Sequence, residues 1–334
     1  MNPLGSDLFV NIPLFLVQTA FLEGAQGEFI ADQVFPTIPV QRKVANYYTF
    51  DQDSWYRAEA AERAPSTPSI GGGWGVSTSA LYNCRVYAIH KDVDYQTRAE
   101  QEANGLFDID DVSTIWVTRQ LLLKRELLWA ATYFTTGVWT NNMTGVTASP
   151  AAGQFIQWDQ ASSTPIDDVT LQVENMREAT GLTPNTLVLP PRVKRALRRN
   201  PQILDAAKSI APYTGESQVT DALLAELFEV DRILVPTGIV NTAAEGAARA
   251  MAPIYGRHAL LVHTPPDGQA GLQTPSGGYT FTWNGYLEDG GLAGNRIVTF
   301  PLNEIKSDRI EGEMAFDMRL TAPDLGVFWN QAIA

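Results

Sequence analysis

Five of the eight residues in "RVKRALRR" (192–199) are cations, in a chain whose formal net charge is −13. Clustered Arg and Lys either neutralise phosphates or pair with carboxylates, so the octet points to nucleic acid or to another protein surface. If Pro191 opens a helix, Val193 and Leu197 share one face at i, i+4, with Ala196 beside them. Arg192, Arg195 and Arg199 then form an outer row at i, i+3, i+7, and Lys194 and Arg198 form a second. Asn200 ends this helix and is placed to cap the next one, with Pro201 at its first position. The reading is an amphipathic helix with a cationic solvent face. Abundant carboxylates elsewhere favour subunit salt bridges for that row, with DNA as the alternative, and a pI near 4.7 opposes a chain that coats nucleic acid.

Other chemistry-bearing residues do not converge. His258 and His263 lie five apart on one expected strand and face opposite sides, which suits no shared metal. Cys84 is the single cysteine, and no nucleophile elbow surrounds any serine. "GGGWG" (71–75) lacks the G-K-[ST] of a phosphate loop and reads as a mobile loop tip. The carboxylate pairs Asp51/Asp53, Asp110/Asp111 and Asp167/Asp168 read as polar loops or helix starts, with Asp167 or Asp168 as a cap, rather than as ion sites. The sequence predicts no enzyme, no cofactor and no metal.

The elements around these residues form a mixed α and β pattern. "DIDDVSTIWVTRQLLLKRELLWAATYFTTG" predicts a helix over 110–136, with Ile115, Leu122 and Trp129 at seven-residue intervals and Leu121 and Leu128 beside them. Arg119, Lys124, Arg125 and Glu126 are assigned to its other, solvent-facing side. Residues 44–55 and 76–93 read as two strands flanking a Pro/Gly-rich tip, an extension rather than a core element. From 166 the pattern gives a helix ending at Gly181, the buried strand "NTLVL", further helices, and the strands "RILVP", "HALLVHTP" and "GYTFTWNGYL", as one compact α/β unit. Two antiparallel strands and an apolar tail close the chain.

At 45% hydrophobic and 18% charged, the 334 residues can bury a sizeable core. No signal peptide or membrane helix is expected: the first cation is Arg42, and the apolar stretch around Leu121–Trp129 is broken by Lys124, Arg125 and Glu126. One cysteine fits assembly in a reducing compartment. Residues 1–40 are apolar but punctuated by Pro3, Pro13, Pro36 and Pro39, a terminus that either its own subunit or a neighbour must cover.

The stretches "FIADQVFPTIPVQRKVANYYTFDQDSWYRAEAAERAPSTPS", "PNTLVLPPRVKRALRRNPQIL", "LLAELFEVDRILV", "NTAAEGAARA", "TPSGGYTFTW" and "APDLGVFW" resemble, in order, the major capsid proteins of tailed bacteriophages. The resemblance implies the Hong-Kong-ninety-seven-like α+β capsid fold. It implies an N-terminal arm (1–46) and an extended hairpin loop (47–90) overlapping a neighbour. It also implies a peripheral domain (91–165 and 295–334) with its spine helix at 110–136, and an axial α/β domain (166–294). It implies burial of the arm between subunits, and pentamers and hexamers in an icosahedral shell around double-stranded DNA, without sequence-specific binding. Expected partners are a separate scaffolding protein, because the chain starts close to the arm, a portal and decoration proteins, with no membrane. Assembly is expected in the host bacterial cytoplasm, and the mature protein in the virion. Candidate intersubunit contacts are Arg192, Arg195 and Arg199, with Trp55, Arg57, Glu59 and Trp74 in the loop. Some relatives weld subunits through a loop lysine; none lies between Lys43 and Lys91, so no cross-link is expected. A cellular nanocompartment shell and a soluble hydrolase are the alternatives.

Overall fold

The helix expected over 110–136 runs from Ile109 to Tyr133 and is capped by Asp108, whose carboxylate accepts from the backbone N–H of Asp110 at 2.9 Å. The computed structural model describes residues 27–47, 49–50, 56–63, 65–73, 75–77, 79–104, 108–210, 219–266, 271, 274–287 and 294–334.

In chain order the described elements start with helix α1 (Ala31–Val34) and strands β1 (Thr37–Val40), β2 (Val44–Asn46) and β3 (Thr49–Phe50). Strands β4 (Val76–Ser77), β5 (Leu81–Asn83) and β6 (Arg85–Asp94) lead to α2 (Tyr95–Asn104) and the long helix α3 (Ile109–Tyr133). Then follow β7 (Asn141–Val146), β8 (Gln154–Ile156), α4 (Pro165–Thr180), β9 (Thr186–Val188), α5 (Pro191–Leu197), α6 (Pro201–Ile210) and α7 (Asp221–Leu227). The remainder holds β10 (Arg232–Leu234), β11 (Ile239–Asn241), β12 (Met251–Pro253), β13 (Ala259–Val262) and β14 (Gly278–Trp283). Helix α8 (Asn284–Leu287), β15 (Asn295–Leu302), β16 (Ser307–Leu320) and β17 (Gly326–Asn330) complete it.

Strand β16 organises a five-stranded sheet. Its residues 307–314 pair antiparallel with β15, its residues 307–316 with β6, and its residues 316–320 with β14, which in turn runs parallel to β1. Arg309 bridges β16 to β6 with two bonds to the Asp92 carboxylate, 2.7 and 2.8 Å, and these hydrogen bonds hold that carboxyl below the usual range. A six-stranded sheet has the order β10-β9-β13-β17-β7-β8. Its central strands are buried on both faces and alternate strictly. Val188, Leu260, Val262 and Phe328 face α1 and α3, whereas Leu187, Leu189, Leu261, Val327 and Trp329 face α4 to α7.

Four strands lie in the opposite sheet from the one their place in the chain suggests, among them β7 and β8, which fall within 91–165 yet extend the six-stranded sheet. "GYTFTW", expected in the compact α/β unit, is β14 of the five-stranded sheet, where Tyr279 and Phe281 pack with Tyr47, Tyr82 and Ile38. "GVFW", expected beside the spine helix, is β17 at the centre of the six-stranded sheet, between β13 and β7. A strand apolar on both faces needs cover on both sides, and only a central position supplies it. The hairpin β11–β12 was not foreseen; its residues are exposed or half-buried, so no apolar run marks it.

The buried side of α3 is also wider than expected. It carries Val117, Leu121, Leu122, Trp129 and Tyr133 but also Arg125 and Glu126, at 3% and 0% exposure, while Ile115 and Leu128 are only half-buried. The placement of Arg125 and Glu126 in solvent is therefore corrected. The helix packs on β16 and β6 along one side and under α1 along another, so two neighbouring arcs are covered rather than one stripe.

Candidate assembly sites

The first site is where the terminal segment meets the long helix. Glu126 accepts from the backbone N–H of Ile30 at 2.8 Å and of Ala31 at 3.0 Å, and from the Tyr255 hydroxyl. These are the N–H groups that the start of α1 leaves without helical partners. Burial pushes the Glu126 carboxyl up, against the pull of these three bonds, and burial likewise raises the Tyr255 hydroxyl. Arg125 pairs with Asp32 at 3.0 Å, and Arg119 pairs with Glu28 at 2.5 Å. Arg232 donates to the Gln33 carbonyl at 2.9 Å and to Thr186 and Thr264, joining the segment to the six-stranded sheet.

Around this polar clasp the packing is aromatic. Phe35 meets Trp129 edge-on at 5.7 Å and touches Tyr133 and Trp139. A side chain at position 278 would collide with the Phe35 ring, so glycine is required there. Phe29, Ile30, Ala31, Val34 and Phe35 are thus buried in their own subunit, which corrects, for these residues, the expectation that a neighbour covers the arm. Residues 1–26 lie outside the described residues.

The second site is the basic row. Helix α5 buries Val193 and Leu197 and exposes Arg192 and Arg195, and exposed Arg199 lies in the turn that follows. Asn200, 2% exposed, accepts from the Gln202 N–H at 2.9 Å and donates to the Trp158 carbonyl and the Ser163 hydroxyl, locking the α5–α6 junction. Lys194 is used internally, against Asp221 at 2.5 Å. On α4 the expected Asp cap does not form: Thr164 holds the N-cap position without a side-chain bond. Asp167 accepts from Gln202, and Asp168 from the Trp158 indole at 3.1 Å. Both sit in the first turn, where an acidic side chain favours the helix dipole without capping. Burial lifts Asp168 to about 6. Gly181 closes α4 with φ 72°, as expected.

The third site is the extension between β3 and β4. The ladders β2–β5 and β3–β4 form its base, and the described residues 56–73 are all exposed. Arg57 and Glu59 lie 3.7 Å apart, and Tyr56 donates to the Thr180 carbonyl at the end of α4. Trp55 and Trp74, two of the contact candidates, lie outside the described residues, as do Asp51 and Asp53.

No convergent chemistry joins the remaining groups. His258 accepts from the Gln331 N–H, and His263 lies 2.6 Å from the Thr183 carbonyl, at opposite ends of β13. Cys84 is buried, and burial pushes its thiol up to about 12. Among the described residues no three His, Cys, Asp or Glu cluster as metal ligands, and no helix is long and apolar enough to cross a membrane.

No family model matches the chain. It is 26% identical to the major capsid protein of Pseudomonas phage JBD67 over 319 residues, which span 92% of this chain and 93% of that protein. With the major capsid protein of Burkholderia phage BcepMu it shares 24% identity, over 80% of this chain and 84% of that one. The crystal structure of a phage-related protein from Bordetella bronchiseptica superposes with a TM-score of 0.72 at 20% identity, covering 97% and 98% of the two chains. The capsid of Cyanophage P-SCSP1u superposes at 0.52 with 13% identity, covering 91% and 88%. The chain is similar to phage major capsid proteins along most of its length. Its mixed fold is the Hong-Kong-ninety-seven-like capsid fold. The role suggested by these relatives is structural.

Proposed function

We propose that this coat protein assembles as pentamers and hexamers into an icosahedral shell that encloses double-stranded phage DNA. Similarity to phage capsid proteins along nearly the whole chain carries this reading. In it, residues 1–46 form the arm, 47–90 the extended loop, 91–165 with 295–334 the peripheral domain around α3, and 166–294 the axial domain. Strands β14 and β17 cross between the last two and tie them together. An exposed extension supports a role between subunits, since among its described residues 56–73 only Tyr56 is recorded against the subunit body, at Thr180. Arg57, Glu59 and the loop tryptophans Trp55 and Trp74 would meet a neighbour there, and Arg192, Arg195 and Arg199 would meet carboxylates of an adjacent subunit. The shell works by many modest interfaces repeated by symmetry, with no reaction to catalyse. A separate scaffolding protein, a portal and decoration proteins complete the particle, which forms in the host cytoplasm.

Negative-stain images of the purified full chain test the reading. Uniform shells or capsomer rings are expected, with nucleic acid inside particles taken from the native source. Shells holding protein cargo and no nucleic acid would shift it to a nanocompartment, and monodisperse monomers would overturn it.

A further inference from the structure

The structure carries a second charged row that the sequence pattern did not single out. On α4, Val169, Gln172, Val173, Met176 and Thr180 are buried, and the opposite line carries Asp167, Leu171, Glu174 and Glu178, all exposed. Leu171 is 54% exposed at the middle of this acidic line. Helix α5 presents the converse face, Arg192 and Arg195, above buried Val193 and Leu197, and exposed Arg199 lies in the turn that follows. Both helices cover the same side of the six-stranded sheet and share one apolar core. Among the described residues, Glu174, Glu178, Arg192 and Arg195 have no ion pair within their own chain.

We propose that the α4 row of one subunit receives the α5 row of the next in a closed ring. This rests on the shell reading. The dimensions agree: Glu174 to Glu178 is ~6 Å of helix and Arg192 to Arg195 ~4.5 Å. Glu174 and Glu178, one turn apart, meet Arg192 and Arg195, also about one turn apart, and the aliphatic stems of the arginines cover Leu171. Two complementary patches at different places on one subunit suit a head-to-tail contact, which generates a ring when its rotation closes. The mixed sign also explains how an acidic chain avoids repelling its copies at this surface.

The test uses full-length E174K/E178K, R192E/R195E and the four-fold swap, with capsomers quantified by size exclusion with light scattering. Each double reversal should lower ring yield by ~10-fold or more, because like charges then face one another. The four-fold swap should return it to within ~3-fold of wild type. Mixing the two double variants should restore six-membered rings in preference to five, since the charges match only when the two variants alternate around an even ring. Neutral E174Q/E178Q, with unchanged thermal unfolding, should lose yield ~3-fold and show a weaker dependence on salt. Doubles that form rings normally, or a folded swap and a mixture that both fail, would overturn the pairing. Normal rings with loss of DNA from particles would assign the arginine row to the genome instead. A wild type that forms neither rings nor shells removes the shell reading itself, a result distinct from failure of the swap.

Discussion

Residues 28–40 and residues 56–73 are both drawn-out stretches with two prolines each, Pro36 and Pro39 in the first and Pro65 and Pro68 in the second. The first is folded into its own subunit. Phe29, Ile30, Val34, Phe35 and Ile38 are buried, Glu126 takes the N–H groups of Ile30 and Ala31, and β1 joins a sheet. The second stands out from the body on two short ladders, with few internal bonds. The difference teaches what decides the fate of an irregular segment. Proline punctuation removes regular hydrogen bonding from both, but only the first has an apolar face large enough to offset the ordering entropy, together with a receptor for its unpaired N–H groups. A polar segment of that length stays out until another chain supplies the missing contacts.

Breaking the clasp should have the largest effect. Glu126→Ala leaves two buried N–H groups and a buried hydroxyl unpaired, so it should cost about 3–5 kcal/mol in denaturant unfolding and expose the Ile30 and Ala31 amides to hydrogen exchange. Glu126→Gln keeps an acceptor in place and should cost roughly half as much. A loss under ~1 kcal/mol for the alanine variant would mean that aromatic packing alone holds the segment.

Asp168 asks whether a buried carboxylate is useful only when it clasps something. It receives one indole bond, and burial lifts it to about 6. The folded state therefore keeps its proton up to about pH 6, whereas the unfolded chain releases it near ~3.9. Between those values the folded state binds more protons, so this group's contribution to stability falls as pH rises and levels off above the folded pKa. Asp168→Asn should accordingly raise stability at about pH 8, by roughly 1 kcal/mol once solvent screening of this half-buried group is allowed for, with the gain vanishing toward about pH 4. Thermal unfolding across that range measures it, and a destabilised asparagine variant at high pH would reverse the sign of the assignment.

The smallest effect on the subunit should come from the extension. Replacing residues 57–73 by a short Gly-Ser turn should change monomer stability by less than ~1 kcal/mol while ring and shell formation fails. A large loss of monomer stability would show the extension to be part of its own subunit after all, and would erase the contrast with residues 28–40.

Much of the local structure was legible from the chain. The long helix, the helix end at Gly181, the strand "TLV", the α5 face with Val193 and Leu197 inward and three arginines outward, and the Asn200 junction follow from residue types at fixed spacing, and each appears. These features depend on neighbours within one or two helical turns, so the sequence order contains all the partners involved. What the tertiary structure alone decided was which side of α3 lies inside, which sheet takes β14 and which takes β17, and where the terminal segment docks. Glu126 meets partners 96 and 129 residues away, and the Thr280 hydroxyl bonds Phe35 across 245. Such pairings arise when whole sheets close over a helix, because a buried carboxylate is stable only where its receptors converge and a strand buried on both faces only where both are covered. Local spacing carries no trace of either condition.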